Sequence, residues 1–236
     1  MIQDDECGVM FMDILAIIPA RGGSKGIPRK NLKLINRKPL LYYTINSSLS
    51  SKHVTRTIVS SDDVKILKKA QQFGAERIKR PKGLAKDSSK IEPVIFHTLN
   101  YLKKMEQYVP DIVVLLQSTS PLRTGKHIDA AIKLLLKKKF DSVLSVFSSH
   151  NFLWEQKNHA KPVNYNPFRR PNRQNFEPQY IENGAIYITT LQAFQKSKCR
   201  ISGKIGLYEM KKIESFEIDD YDDLNLIKKL QETKND

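Results

Sequence analysis

The sequence of 236 residues predicts an α/β fold built around a doubly wound, mainly parallel sheet. Apolar runs without alternation, at 14–18 and 111–117, are typical of strands buried on both faces. Segments with the apolar spacing of helices follow such runs, and this strand–helix alternation recurs along the first 147 residues. Ligands of such sheets bind at the carboxyl ends of the strands, near the point where the strand order reverses.

Each element is assigned from its apolar spacing, its caps and its turn residues. The predicted strands are 14–18, 55–61, 76–81, 111–117, 141–147, 183–190, 206–211 and 214–219. The predicted helices are 38–51, 62–74, 89–105, 124–139 and 222–232. In the second helix, for example, Val64, Leu67 and Ala70 share one side, and Gly74 ends the helix.

The pattern breaks in the segment 148–181, which is rich in proline, aromatic residues and arginine. An irregular stretch of this length inside a compact domain needs a role, such as a lid, an insertion or a partner surface. We interpret 13–236 as a single domain that carries this insertion, and 1–12 as a flexible N-terminal tail.

Composition and charge limit the function. The chain has 40 Lys+Arg against 25 Asp+Glu, a formal net charge of +15. Nucleic-acid binding, attraction of a polyanionic small substrate and a plain lysine-rich surface are all compatible with this charge. The plain surface is favoured because aromatic residues are not interleaved with the basic runs. Without a CxxC pair, a long apolar run or a signal-peptide pattern, we expect a cytoplasmic protein with no membrane span.

The stretch "IPARGGSKGIPRKN" follows the first strand and matches neither common nucleotide-binding loop. A P-loop requires Lys after its last glycine, but Ile27 follows Gly26. The dinucleotide fingerprint GxGxxG is replaced by GGxxG, formed by Gly22, Gly23 and Gly26. What remains is a glycine-rich loop with cations that suit several phosphates at once. These cations are Arg21, Lys25, Arg29 and Lys30. A tight turn with a solvated basic rim explains the composition equally well.

Two further stretches carry polar side chains. Gln117, Ser118, Thr119 and Ser120 follow the strand 111–117, where they can fix a polyhydroxy ligand or a base edge, or simply cap a helix. Near the end of the chain an acidic segment, 217–223, begins within the last predicted strand and runs into the last predicted helix.

In that acidic segment, an extended backbone would place Glu217 and Asp219 on the same face. Paired carboxylates suit Mg²⁺ that is shared with substrate phosphates. An alternative is that these acids stabilise the N-terminus of the following helix. This explains Asp220, Asp222 and Asp223 well, but it explains Glu217 and Asp219, which precede the helix, less well. A cationic loop, a polar loop and a metal-binding carboxylate pair together indicate nucleotidyl transfer.

Several of these motifs resemble those of the acylneuraminate cytidylyltransferases, the CMP-sialic acid synthetases, in order and spacing over about 14–232. They are "IPARGGSKGIPRKN", "RP…LAKDSS", "LLQSTSPLRTG", "ENGAIYI" and the acidic pair in "SFEID". The resemblance implies a Rossmann-like fold of the nucleotide-diphospho-sugar transferase type. It also implies Mg²⁺ as cofactor and a homodimer formed through the inserted segment.

The activity implied by the resemblance is transfer of CMP from CTP to the anomeric hydroxyl of a nonulosonic acid, releasing pyrophosphate. N-acetylneuraminate is the first choice of acid, and legionaminate, pseudaminate and Kdo are the alternatives. Kdo enzymes usually carry Gln-Gly-Asp-Glu-Pro where this chain has "QSTSP", which disfavours Kdo. A basic nucleic-acid-binding protein is the alternative from a different class, although we expect neither a nucleic acid nor a membrane as partner.

The resemblance also implies roles for individual residues. Nucleotide-binding residues are Ala20, Arg21, Gly22, Gly23, Ser24, Lys25, Asn31, Arg80 and Ser88. Sugar-acid-binding residues are Gln117, Thr119, Ser120, Arg173, Tyr180 and Asn183, with Arg173 reaching across from the second subunit. Glu217 and Asp219 are the metal ligands, and the catalytic set is Arg21, Lys25, Gln117 and Asp219. Many relatives have proline in place of Ser118 and Asp in place of Glu217.

Overall fold

A computed structural model of the protein describes residues 12–232, and its centre is a seven-stranded sheet. The strands of the protein are β1 (Ile14–Pro19), β2 (Leu34–Ile35), β3 (Lys38–Pro39), β4 (Arg56–Ser61), β5 (Glu76–Lys79), β6 (Ile112–Leu115), β7 (Ser142–Ser149), β8 (Trp154–Gln156), β9 (Ala160–Pro162), β10 (Gln179–Thr190) and β11 (Ile205–Glu209). The helices are α1 (Leu40–Leu49), α2 (Val64–Gln72), α3 (Glu92–Glu106), α4 (Gly125–Lys138), α5 (Leu191–Ser197) and α6 (Tyr221–Glu232).

The order of strands across the sheet is β11-β7-β10-β6-β1-β4-β5. Strand β1 pairs in parallel with β4 on one side and with β6 on the other. Strand β10 runs antiparallel to both of its neighbours, β6 and β7, and β11 runs parallel to β7. The prediction of a doubly wound, mainly parallel sheet is therefore confirmed. The strand order reverses between β1 and β6, so the loops that follow these two strands meet at the switch point.

Apolar side chains cover both faces of the sheet, which explains the unalternating runs in the sequence. On one face, Ala16 and Ile18 of β1 pack with residues of α1, α2 and α4. On the other face, Leu15 and Ile17 pack with α3 and with Phe194 of α5. Because parallel strands with helices on both sides bury every residue, such strands lack a polar face.

The C-terminal part of the chain differs from the prediction. Residues 214–219 were predicted as a strand, but Lys212–Ser215 forms a 3₁₀ turn and the residues after it do not join the sheet. The apolar alternation arises instead because Ile218 is buried in a separate small cluster with Ile27, Leu122 and Leu224. This cluster fastens the acidic segment and α6 to the glycine loop rather than to the sheet.

The predicted insertion 148–181 contains more structure than its sequence indicates. Strands β8 and β9 form a small antiparallel hairpin, and single 3₁₀ turns lie at Pro167–Arg169 and Arg173–Asn175. Strand β10 begins at Gln179, so the predicted start at residue 183 was too late. Of the predicted tail 1–12, Met12 packs against the core. The rest of that tail lies outside the described residues.

Candidate active site

A cavity of about 360 Å³ opens at the carboxyl ends of β1 and β6. This volume falls at the lower end of the range of about 300–1,000 Å³ that is usual for small-molecule sites. The side chains around it come from the glycine loop (18–31), the segment before α3 (80–91), the polar loop (117–120) and the acidic segment (217–223). The lining residues are Pro19, Arg21, Gly23, Ser24, Lys30, Asn31, Arg80, Leu84, Lys86, Asp87, Ser89, Lys90, Ile91, Val94, Gln117, Ser118, Thr119 and Asp219.

The glycine loop is held against the loop that follows β4. The backbone N–H of Gly22 donates to Oδ1 of Asp62 at 3.0 Å. A Cβ on Gly22 would lie 2.8 Å from the Cβ of Asp63, so a larger residue does not fit at this position. Asp63 caps α2 by accepting from the backbone N–H of Lys65 at 2.6 Å. The first glycine is therefore required for packing between two loops, rather than for a P-loop geometry.

Lys30 joins the glycine loop to the acidic segment. Its Nζ donates to the backbone carbonyl of Ile218 at 2.6 Å and to Oδ1 of Asp219 at 3.0 Å. The backbone N–H of Ile218 donates to the carbonyl of Thr119 at 2.9 Å, which adds the polar loop to the same assembly. Three stretches that are far apart in sequence thus meet at one edge of the cavity.

Arg80 is a buried cation in the cavity wall, fixed by its backbone N–H, which donates to the carbonyl of Ser61 at 2.9 Å. Burial lowers the pKa of the Arg80 guanidinium, Asp62 partly offsets this, and Arg21 adds to it. The buried Nε of Arg80 has no hydrogen-bond partner within the described part of the chain. A buried cation with unsatisfied donor capacity favours an anionic or polar ligand in the cavity.

The Asn31 side chain is clamped between the two loops of the switch point. Its Nδ2 donates to the carbonyl of Arg21 at 3.0 Å, and its Oδ1 accepts from the hydroxyl of Ser118 at 2.5 Å. Arg21 can only accept through this carbonyl, so the amide has a defined orientation. Ser118 therefore makes a hydrogen bond that a proline at this position could not make.

The buried Arg123 holds the polar loop through hydrogen bonds to neighbouring segments. Nη1 of Arg123 donates to the carbonyls of Gln117 at 3.1 Å and Ala185 at 2.7 Å, and its Nε donates to Ser47 at 3.2 Å. Burial lowers the pKa of Arg123 to about 9, so the guanidinium stays charged at neutral pH. The hydrogen bonds of Arg123 go to neutral acceptors. Because one of these is the backbone carbonyl of Gln117, Arg123 supports the position of Gln117.

Gly184 brings Gln117 and Glu217 close together. It has φ +63° and lies at an irregularity in the pairing of β10 with β7. A Cβ on Gly184 would overlap Oε1 of Glu217 and would lie 3.0 Å from Oε1 of Gln117. A left-handed glycine in a strand is typical of a bulge that re-aims side chains, and here it makes room for two polar side chains.

The two acids of the predicted metal pair differ in environment. Asp219 lines the cavity and its side chain is 76% exposed, whereas Glu217 is half-buried. Burial, with the charge of Asp219 as the second cause, raises the pKa of Glu217 to about 7. Thr119 Oγ1 donates a long hydrogen bond to Glu217 at 3.5 Å. Residues 12–232 contain no group of three or more His, Cys, Asp or Glu side chains that could hold a metal.

Much of the predicted site comes together in this cavity. The predicted residues that line it are Arg21, Gly23, Ser24, Asn31, Arg80, Gln117, Thr119 and Asp219. Ala20 and Ser120 are fully buried and do not line the cavity, and Gly22, also outside the lining, packs against Asp63. Lys25 lies at the rim with its side chain 80% exposed, and Ser88 is exposed beside the lining residue Asp87. Glu217 lies next to the lining residue Thr119.

The predicted sugar-acid residues on β10 and the insertion are not brought to the cavity of a single chain. Asn183 is buried, and its amide accepts from Ser145 at 2.6 Å and donates to Ser215 at 2.8 Å, so it joins β7 to the turn at Lys212–Ser215. Arg173 and Tyr180 are exposed on the insertion side. The roles of both stay predictions, and that of Arg173 requires a second subunit.

The sequence did not predict the role of three residues of the site, Lys30, Asp87 and Gly184. Lys30 was noted as a loop cation without its link to Asp219, and Asp87 was not singled out within "LAKDSS". Gly184 had a signal, because glycine inside a predicted strand indicates a bulge or a close approach.

This sheet, with its cavity at the switch point, is a Rossmann-like nucleotidyltransferase fold. The fold is shared with a solved CMP:2-keto-3-deoxy-manno-octonic acid synthetase complexed with CTP. The TM-score is 0.70 at 17% identity, with 94% of this chain and 99% of that chain covered. The family model described as cytidylyltransferase matches residues 15–236, and the chain belongs to that family.

Two curated relatives add detail. N-acylneuraminate cytidylyltransferase A of Danio rerio is 35% identical over 211 residues, which are 87% of this chain and 48% of that protein. The chain thus spans about half the length of that relative. CMP-N,N'-diacetyllegionaminic acid synthase of Legionella pneumophila is 35% identical over 229 residues, 94% of this chain and 97% of that protein. No helix within residues 12–232 is long and apolar enough to cross a membrane.

Proposed function

We propose that the protein transfers CMP from CTP to the anomeric hydroxyl of a nonulosonic acid and releases pyrophosphate. One observation carries the proposal: Arg21, Lys30 and Arg80 face a single cavity that also contains the Asp219 carboxylate. Clustered cations stabilise a bound triphosphate and the charge that develops as it is cleaved. Membership of the cytidylyltransferase family and the names of the relatives support CTP as the nucleotide.

Mg²⁺ belongs to this proposal, and the residues present fit it. Asp219 lines the cavity, and burial followed by the charge of Asp219 raises the pKa of Glu217, so the two carboxylates interact. Mg²⁺ commonly binds through one or two carboxylates plus substrate phosphates, which agrees with a pair of acids rather than a larger cluster. When bound, the ion would neutralise phosphate charge. Asp219 and Glu217 are its proposed ligands.

The remaining roles are divided among the glycine loop, Arg80 at the end of β5 and the polar loop. Asn31, held by Ser118, and the buried Arg80 orient the cytidine, while Arg21, Lys25 and Lys30 bind phosphate oxygens. Gln117 and Thr119 position the sugar acid so that its anomeric hydroxyl is in line with the α-phosphorus. Catalysis then rests mainly on positioning and charge stabilisation, as in other phosphoryl transfers.

N-acetylneuraminate is our first choice of acid, and legionaminate is the main alternative. The N-acylneuraminate relative of Danio rerio is about twice as long as this chain, whereas the legionaminic acid relative is matched over 97% of its length. Substituents on the sugar ring distinguish the two acids, so a panel of acids is required.

The proposal includes a homodimer in the cytoplasm. Phe168 in the insertion is 94% exposed, and Trp154, Val163 and Tyr180 are half-exposed, which is apolar surface suited to a second copy of the chain. Such a dimer would give the exposed Arg173 a neighbouring cavity to reach. The exposed free thiol of Cys199 suits a reducing compartment.

The test is an assay of pyrophosphate release with each of the four nucleoside triphosphates, Mg²⁺ and a panel of nonulosonic acids. We expect release with CTP alone, and most efficiently with one acid of the panel. Arg21→Ala serves as the inactive control. Absence of release with every acid, together with tight and steeply salt-dependent binding of random duplex or single strands, would favour the nucleic-acid alternative instead.

A further inference from the structure

Asp87 pairs with two cations that the proposed function assigns to phosphate binding. Its Oδ1 lies 2.6 Å from Nη1 of Arg21, and its Oδ2 lies 3.6 Å from Nζ of Lys25. The carboxylate therefore stands where the structure gathers positive charge for an anionic ligand. Asp87 itself lines the cavity, so it faces the same space as a bound triphosphate would.

The segment that carries Asp87 is built from local contacts. It follows the 3₁₀ turn Lys82–Ala85 and precedes α3. Ser89 holds it together, with its N–H donating to the carbonyl of Lys86 at 3.0 Å and its hydroxyl donating to the carbonyl of Gly83 at 3.1 Å. The Asp87 side chain is 45% exposed. A short turn of this kind can withdraw one side chain without disturbing the sheet.

We propose that the Asp87 carboxylate is an intramolecular competitor for the phosphate-binding site. It pairs with Arg21 and Lys25 while the site is empty, and it is displaced by the polyphosphate of the nucleotide. A triphosphate carries several negative charges and outcompetes one half-exposed carboxylate, whose ion pairs are individually weak. Each polyphosphate must displace Asp87, so this residue lowers the affinity of the site and favours release of the pyrophosphate product.

The inference rests on the proposed function in naming a nucleotide as ligand, but its test does not require turnover. Inorganic tripolyphosphate is titrated into the metal-free protein by calorimetry. We expect Asp87→Asn to lower the Kd for tripolyphosphate about two- to fivefold relative to the unmodified protein. A thermal unfolding scan checks that each variant is folded, and Asp87→Ser provides a second substitution with the same expected direction.

Glu76→Gln is the matched control, because it makes the same change of charge at a remote ion pair. Glu76 pairs with Arg56, and its side chain is 47% exposed, close to the value for Asp87. We expect this control to leave the Kd within about 1.5-fold. Equal tightening by Glu76→Gln would reduce the effect to net charge and overturn the proposal. Unchanged binding by the Asp87 variants would also overturn it, since Asp87 would then not compete with phosphate. Weaker binding would overturn it as well, since Asp87 would then hold the cations ready for phosphate.

The probe contains neither cytidine nor a sugar acid, so the two proposals can fail separately. Tighter tripolyphosphate binding by Asp87→Asn in a protein that releases no pyrophosphate from CTP would support the role of Asp87 and contradict the proposed function. Normal turnover of CTP with no change in tripolyphosphate binding by Asp87→Asn would support the proposed function and contradict the role of Asp87.

Discussion

Gly26 lies directly against the backbone carbonyl of Asp219, where a Cβ on the glycine would overlap the oxygen. The glycine loop and the acidic segment are therefore in backbone contact, and Lys30 adds a side-chain link between the same two segments. The position of the Asp219 carboxylate in the cavity depends on this contact.

We expect Gly26→Ala to push the acidic segment away from the loop. Overpacking of this kind typically costs about 1–3 kcal/mol of stability, and turnover should fall at least tenfold because Asp219 is displaced. Gly83→Ala is the matched control, since a Cβ on Gly83 meets no atom within 4 Å and Gly83 does not line the cavity. Thermal unfolding and pyrophosphate release measure both effects. Similar behaviour of the two variants would contradict the role of the close contact.

Asp219→Ala is expected to abolish turnover at every Mg²⁺ concentration, because it removes the proposed metal ligand that lines the cavity. Asp222→Ala removes an acid from the first turn of α6 instead, and it should retain most of the activity. The measurement is initial rate against Mg²⁺ concentration. Full recovery of the turnover of Asp219→Ala at high Mg²⁺ would show that Asp219 is not an essential metal ligand.

Arg123→Met should destabilise the protein by about 2–4 kcal/mol. The substitution leaves the buried carbonyl of Ala185 without its donor and takes one donor from the carbonyl of Gln117. It should also raise the KM for the sugar acid through Gln117. Arg77→Met, at an exposed position of β5, is the control and should change stability by less than about 0.5 kcal/mol. Equal urea denaturation midpoints for the two variants would exclude a supporting role for Arg123.

His97 in α3 should make stability depend on pH below neutrality. Burial, with the charge of Arg80 as the second cause, lowers the pKa of His97 below 6.5. As pH falls from about 6.5 toward that lowered pKa, the unfolded chain takes up a proton that the folded chain does not, so stability is lost. His97→Gln should remove this loss, whereas the exposed His159→Gln should not. Unfolding temperatures between pH 7.5 and 5 measure the difference, and identical pH profiles for all three proteins would refute it.

Arg173→Ala should raise the KM for the sugar acid more than the KM for CTP. Arg173 is exposed on the insertion, so in the proposed homodimer it would be free to reach the cavity of the other copy. Lys161→Ala removes another exposed cation from the same insertion and should leave both constants unchanged. An equal rise in both constants for Arg173→Ala would argue against a contact with the sugar acid.

The sequence was most informative where burial on both faces leaves a simple pattern. Strands β1 and β6 were recognised because their residues are apolar without interruption. The direction of β10 could not be predicted from the sequence, because an apolar run has the same pattern in a parallel and in an antiparallel strand. The predicted strand at 214–219 was wrong because Ile218 is buried in a cluster outside the sheet, and spacing alone does not distinguish the two kinds of burial.

The site was predictable as far as its loops carry recognisable motifs. The motifs did not indicate which side chains contact each other across the cavity. The pairing of Asp87 with Arg21 joins segments after β5 and β1, and it depends on the order of strands in the sheet. The internal use of the Asn183 amide was hidden for the same reason, because its partners Ser145 and Ser215 belong to other segments.

The reversed direction of β10 has a consequence for how this sheet tolerates change. Because β10 runs opposite to β7, the last residue of β7, Ser149, pairs with the first residue of β10, Gln179. The whole insertion therefore leaves and re-enters the sheet at one point, on the cavity side. Its length can vary, down to a tight turn, without shifting the register of any strand. The length of the insertion can thus change while the strands that support the cavity stay in place, with the same two strand ends as the boundary between them.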